Sequence, residues 1–226
     1  MIVIHIDSMA DTAFLKKTYE GLTDVKLLYN PTRKEIDTML KENPTESVMM
    51  LGHGSPNGLF GTGWRGNAID QSNAHLLKNR DCIGIWCYAK RFAEEYGLRG
   101  YFTDMFISNK GEANSHGYKD ATEEDIFAEV EFFATAVNTL IKDERPLTEW
   151  VGVLNSIADK TKGFVKFNYD AMAYYDGTQS AFMDSLIASW FEDYCYENHI
   201  SGEWARNIAY PIFVAGWKSC EKSYEE

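Results

Sequence analysis

Five times before residue 120 the chain passes from a short apolar run to a segment of helical spacing, and no other feature limits its fold so strongly. MIVIHID is an apolar strand, ADTAFLKKTYEGL has helical spacing, and DVKLLYN is a second strand ended by Asn30-Pro31. Thr32 offers an N-cap to RKEIDTMLKEN, and Glu35 three residues on completes a capping-box pattern. SVMMLGH is the third strand. Behind it a glycine-rich loop reads as a hairpin through GLFGTGW, residues 70–80 as a helix, and DCIGIWC as the fourth strand. KRFAEEYGL reads as a helix ended by Gly100, and GYFTDMFIS as the fifth strand. Such alternation implies an α/β fold, a mainly parallel sheet with helices on both faces and right-handed crossovers. From about Thr122 long helical periods take over, EEDIFAEVEFFATAVNTLIKD and AFMDSLIASWFEDYCYEN, with no clear strand. The expected division is an α/β core over 1–120 and a helical C-terminal portion over 121–226 packed on it.

Charge and cysteine usage narrow the function. The formal charge of -12 argues against a nucleic-acid partner, because neutralising phosphates needs clustered Lys and Arg. Basic peptides suit such a surface better. No segment approaches the ~18 apolar residues of a membrane helix, so no membrane partner is expected, and the N-terminus carries no basic leader. Cys82, Cys87, Cys195 and Cys220 show neither CxxC nor a metal-ligand spacing. Free thiols in a reducing, cytoplasmic setting are therefore expected, with no cofactor and no metal.

Parallel sheets place ligands beyond the carboxyl ends of their strands, and two reactive side chains fall there. His53 follows the third strand between Gly52 and Gly54, and Cys87 closes the fourth. A thiol must lose its proton to attack a carbonyl; a nearby imidazole can take that proton or favour the thiolate electrostatically. Small neighbours such as Gly52, Gly54 and Ala89 would let a substrate backbone approach.

The arrangement resembles the caspase–gingipain–clostripain group of cysteine peptidases, the caspase-like clan. There a hydrophobic strand ends in His-Gly and the next core strand ends in the nucleophilic cysteine; here these are VMMLGHG and CIGIWCYA, with His53 and Cys87 34 positions apart. The resemblance spans roughly residues 1–120. It implies a caspase-like sheet and a cysteine endopeptidase, with Cys87 as nucleophile, His53 as proton-transfer partner, and the N–H groups of Gly54 and Cys87 as an oxyanion hole. The group often has Ala-Cys-x-Gly where this chain has Trp86-Cys87-Tyr88-Ala89, and many clostripain-like members carry Asp where Ile85 stands. In the group the end of the first strand contributes to the specificity pocket or orients the histidine, a place held here by Asp7. A carboxylate there would favour Arg or Lys on the acyl side of the scissile bond, and Asp104 and Glu112, around the fifth strand, are the other candidate acids.

Other readings attach to the same residues. Asp7 also suits a cap for the helix beginning near Asp11. His116, beyond the fifth strand, is the backup base; His5 reads as a buried strand residue. Cys82 should sit at the opposite sheet edge as packing, and Cys195 within a helix core. A zinc site from His53, His116 and Cys87 lacks a recognisable spacing, and GSPNGLFGTGWRG lacks the Gly-Lys-Ser/Thr ending of a P-loop. The alternative to a peptidase is a non-enzymatic or ligand-binding α/β module of flavodoxin-like topology, or an inactive peptidase homologue, in which the thiol at 87 has no enhanced reactivity. Another thiol hydrolase or an acyltransferase would use the same pair.

Overall fold

Strands that are apolar on both sides need a covering layer on each face of their sheet, and this chain supplies two. The computed structural model describes residues 1–7 and 10–178; Cys195, His199, Cys220 and the helix expected over 181–198 lie outside them. In chain order the strands are β1 (Ile2–His5), β2 (Lys26–Tyr29), β3 (Val48–Leu51), β4 (Gly54–Ser55), β5 (Gly58–Phe60), β6 (Asn67–Ile69), β7 (Asp81–Ile85), β8 (Arg99–Phe102) and β9 (Ala173–Asp176). The main sheet runs β2-β1-β3-β7-β8-β9 and is parallel throughout except for β9, which pairs antiparallel with β8. A second, antiparallel sheet, β4-β5-β6, is inserted between β3 and β7.

The helices are α1 (Arg33–Glu42), α2 (Ala89–Tyr96), α3 (Lys110–Ser115), α4 (Glu123–Lys142), α5 (Leu147–Ile157) and α6 (Gly163–Asp170). Side chains alternate across the strands. Val3, Met49, Leu51, Ile83, Ile85 and Tyr101 face the layer built from α4, α5, α6 and the segment after β1. Ile2, Ile4, Val48, Met50, Cys82 and Phe102 face α1, α2 and the small sheet. Each fully buried aliphatic side chain contributes about 1.5–3 kcal/mol. Chain order reverses at β1, with β2 on one side and β3 on the other, so the connections leave over opposite faces and open a crevice at the carboxyl ends of β1 and β3.

The capping box expected at α1 is present: Thr32 accepts from Glu35 N–H, and the Glu35 carboxylate accepts from Thr32 N–H at 2.7 Å. Several expectations need correction. The segment after β1 winds as a 3-10 helix, Ala10–Tyr19, not an α-helix; its three-residue period sets Thr12, Leu15 and Thr18 on one buried side. Residues 70–80 form only a short 3-10 turn, Ala74–Leu77. Asp70 and Asn73 bind nearby amides there, Asn73 Oδ1 taking Asp70 N–H and Asp70 Oδ1 taking Ser72 N–H, both at 2.9 Å. Such local bonds compete with a helix.

Helix α2 ends at Gly97 (φ 61°), whose N–H bonds to Ala93 O, and not at Gly100. Gly100 lies within β8 at φ 141°, where a Cβ would stand 1.8 Å from Cys82 O. The fifth strand stops at Phe102, short of the expected nine residues. The stretch after 122 does contain a strand, β9, and it completes the main sheet. Helices α4–α6 and β9 belong to the same compact unit as the parallel strands, Met1–Thr178, so the break between units falls after Thr178 and not near 120.

Candidate active site

Four parallel strands deliver their carboxyl ends to one place. Beyond β1 the 3-10 helix supplies Thr12, Phe14 and Leu15; beyond β3 come Gly52 and His53; beyond β7 come Trp86 and Cys87; beyond β8 come Phe106 and Ser108. These residues surround a cavity of about 20 Å³, room for one water. His53 and Cys87, expected to share this edge, line the same cavity. Gly52 N–H bonds to Ile85 O at 3.2 Å, so the β3–β7 ladder runs right up to them.

His53 is held by a group that strand reading missed. Its Nε2 lies 3.0 Å from Asp11 Oδ1, and Asp11 Oδ2 accepts from Asn109 Nδ2 at 3.0 Å. A carboxylate only accepts, so Nε2 carries the proton and Nδ1 is left as the basic nitrogen of the neutral ring. Asn109 is itself fixed, its Oδ1 accepting Glu112 N–H at the start of α3. One face of the imidazole is covered by Trp64. Asp11 stands four positions beyond Asp7 in the same crossover, past the strand end that pointed to Asp7; Asn109 and Trp64 carried no comparable signal.

Cys87 is half-buried, and its Sγ–H points to Phe106 O at 3.7 Å. Burial pushes the thiol pKa up to about 12, and the carboxylates of Glu112, Asp104 and Asp11 push in the same direction. The resting group is therefore a neutral thiol, with no ready thiolate for an imidazole to pair with. The next residue, Tyr88, sits in the left-handed region at φ 71°, which costs a non-glycine residue roughly 1–2 kcal/mol. Arg91 braces this turn, its guanidinium 4.7 Å above the Tyr88 ring and 3.6 Å from Asp104.

The bulky Trp86 is spent on packing. It is buried, its Nε1–H donates to Ser55 O at 3.3 Å, and its indole lies where any side chain at Gly54 would fall, 2.0 Å from a Cβ built there. Trp86 thereby locks the loop after His53 to the strand that carries Cys87. Gly54 stands opposite Leu59, and Phe60 N–H reaches past it to His53 O at 2.9 Å. That is the spacing of a non-hydrogen-bonded pair, which leaves the Gly54 N–H out of the β4–β5 ladder. Among the described residues no backbone carbonyl takes the Cys87 N–H.

The expected acids are placed differently from one another. Asp7 reaches the carboxyl edge on the β1–β2 side, where its carboxylate accepts from Thr12 Oγ1 at 3.1 Å and from the Tyr29 hydroxyl. It does not line the cavity. Asp104 accepts Met105 N–H, and Glu112 accepts the Ser108 N–H at 2.7 Å and its hydroxyl at 3.1 Å; both act electrostatically on Cys87. His116 ends α3 with its ring against Phe167, centroids 5.1 Å apart, and is not part of the cavity lining. Cys82 is fully buried, with its pKa pushed up to about 12 by that burial.

Among the described residues no group of three or more His, Cys, Asp or Glu side chains is placed to hold a metal ion, and no helix is long and apolar enough to cross a membrane. The chain matches no protein-family model and no curated protein sequence.

Proposed function

We propose that the chain is a cysteine endopeptidase of caspase-like design, cleaving after basic residues. The observation that carries this reading is the shared cavity: Cys87 and His53 line it from adjacent strand ends, with Asp11 on Nε2 of the imidazole. His53 Nδ1 takes the Cys87 proton as sulfur attacks the peptide carbonyl, and the carbonyl π electrons move to oxygen. The N–H groups of Gly54 and Cys87 hold that oxyanion. The His53 imidazolium, steadied by Asp11, gives its proton to the departing amine, and water then hydrolyses the thioester. A reducing, cytoplasmic setting would keep the nucleophile free.

Basic specificity draws support from the field at the thiol. Asp104, Glu112 and Asp11 all disfavour a negative sulfur, and a cationic side chain seated beside the scissile bond offsets them. Substrate binding would then ease the deprotonation that the free protein resists. Asp104 and Glu112 are better placed for this than Asp7.

The same thiol supports a second reading. A cysteine this hard to ionise is what a non-catalytic α/β binding module or an inactive peptidase homologue would contain. Fluorogenic peptides ending in Arg, Lys, Asp or Leu separate the two. The peptidase reading expects hydrolysis after Arg or Lys that disappears in Cys87→Ala; turnover that survives Cys87→Ala would remove Cys87 as the nucleophile, and no turnover of any peptide would leave the binding module.

A further inference from the structure

We infer that Trp64 is a positioning residue for His53, fixing the plane of the imidazole so that its second ring nitrogen is presented to Cys87; the inference rests on the hydrolase reading above. The two rings are stacked, with centroids 5.4 Å apart and planes 25° from parallel. Phe60 packs on the same indole at 4.9 Å. Nothing in core packing demands this arrangement, since Trp64 is 53% exposed.

Its backbone makes the placement harder to dismiss. Trp64 adopts φ 61°, in the left-handed region, where a bulky residue is strained by roughly 1–2 kcal/mol. The turn that imposes this is closed by Gly61 N–H on Gly66 O at 2.8 Å and by Trp64 N–H on Gly61 O at 3.0 Å. Gly63 and Gly66, at φ 66° and 71°, allow it to be so tight. A six-residue connection between β5 and β6 thus holds one aromatic ring against its backbone preference and stacks it over the histidine.

The chemistry gives that ring a task. Asp11 anchors Nε2 but leaves the imidazole free to swing about the anchoring bond. A stacked face removes that freedom, and with both contacts in place Nδ1 has one direction. The indole π-face also suits the imidazolium formed as the thiol gives up its proton. Of the ionisable groups, Asp11 on the 3-10 helix bonds the ring and Cys87 lines the same cavity.

The test uses the full chain with Trp64→Leu and Trp64→Phe. A stacked indole displaces the His53 imidazole proton resonances by its ring current, and their loss in His53→Gln assigns them. They are expected to move in Trp64→Leu and to stay largely in place in Trp64→Phe. On a peptide ending in Arg or Lys, kcat is expected to fall about 10-fold to 100-fold in Trp64→Leu, as misorientation of a reacting group does, with KM nearly unchanged and most of the rate restored in Trp64→Phe. Unmoved His53 resonances in Trp64→Leu, or a raised KM at constant kcat, would overturn the positioning role. Moved resonances in a chain that hydrolyses no peptide would instead overturn the hydrolase reading, and the catalytic sense of the stack with it.

Discussion

Gly54 and Glu129 show how single residues hold this unit at its limits. At Gly54 the obstacle is steric: a methyl group would meet Trp86 at 2.0 Å and Gly58 O at 2.7 Å, and neither the buried indole nor the hairpin backbone can withdraw cheaply. Gly54→Ala should therefore displace the loop after His53, costing about 1–3 kcal/mol in unfolding free energy and most of the activity, while Gly63→Ala, whose Cβ would meet nothing within 4 Å among the described residues, should cost less, chiefly through the strain of its φ. Glu129 poses an electrostatic problem. It is 9% exposed within α4, its Oε1 has no hydrogen-bond partner among the described residues, and burial raises its pKa although Tyr169 and Lys162 act to lower it. A carboxyl whose folded pKa is raised adds stability below its unfolded value, near 4.5, and loses it as pH rises through the folded pKa. Denaturant melts should show this contribution fading as pH rises above about 4.5, and Glu129→Gln should flatten that part of the profile.

Elements differ in how plainly their residues announce them. Helix α1 was legible because its N-terminal cap is a local pattern, Thr32 and Glu35 bonding across one turn. Its other end depends on a residue far along the chain: Arg80, almost fully buried, donates to the carbonyls of Leu40, Asn43 and Glu46. Thr32→Ala is expected to lower unfolding free energy by about 1 kcal/mol, and Arg80→Met by about 2–4 kcal/mol, because it strips charged donors from buried carbonyls; urea titration measures both. Strand β9 escaped notice for the opposite reason. AYYD is four residues long, shows no alternation, and becomes a strand only because β8 offers a free edge, pairing Tyr101 with Tyr174 and Phe102 with Ala173. The 3-10 winding after β1 was equally hidden, since its apolar spacing fits an α-helix until the packing of Thr12, Leu15 and Thr18 is seen.

For the described unit as a whole, the parallel direction of the first five core strands was readable from alternation alone, and that direction brings the strand ends carrying His53 and Cys87 to one edge of the sheet. The groups that orient the histidine were not readable, because Asp11, Trp64 and Asn109 come from three separate connections and meet only in space. The chain carries a net charge of -12, so encounter with basic peptides should be electrostatically steered. Raising ionic strength from 0.01 M to 0.15 M, which shortens the screening length from about 30 Å to about 8 Å, should lower kcat/KM for a peptide with several Lys or Arg and leave that for a net-neutral peptide, whose one basic residue is balanced by one acidic residue, much less affected.

The central claim is that Cys87 is a thiol made reactive by His53 only when a substrate is in place. A peptidyl electrophile ending in Arg, with its adducts located by mass spectrometry, tests it most directly, using iodoacetamide as the substrate-free comparison. With the thiol pushed up to about 12, iodoacetamide should modify Cys87 slowly. The peptidyl reagent should modify Cys87 fast and alone, and its advantage should vanish in His53→Ala. Labelling of Cys87 at one slow rate by both reagents, unchanged in His53→Ala, would contradict the account.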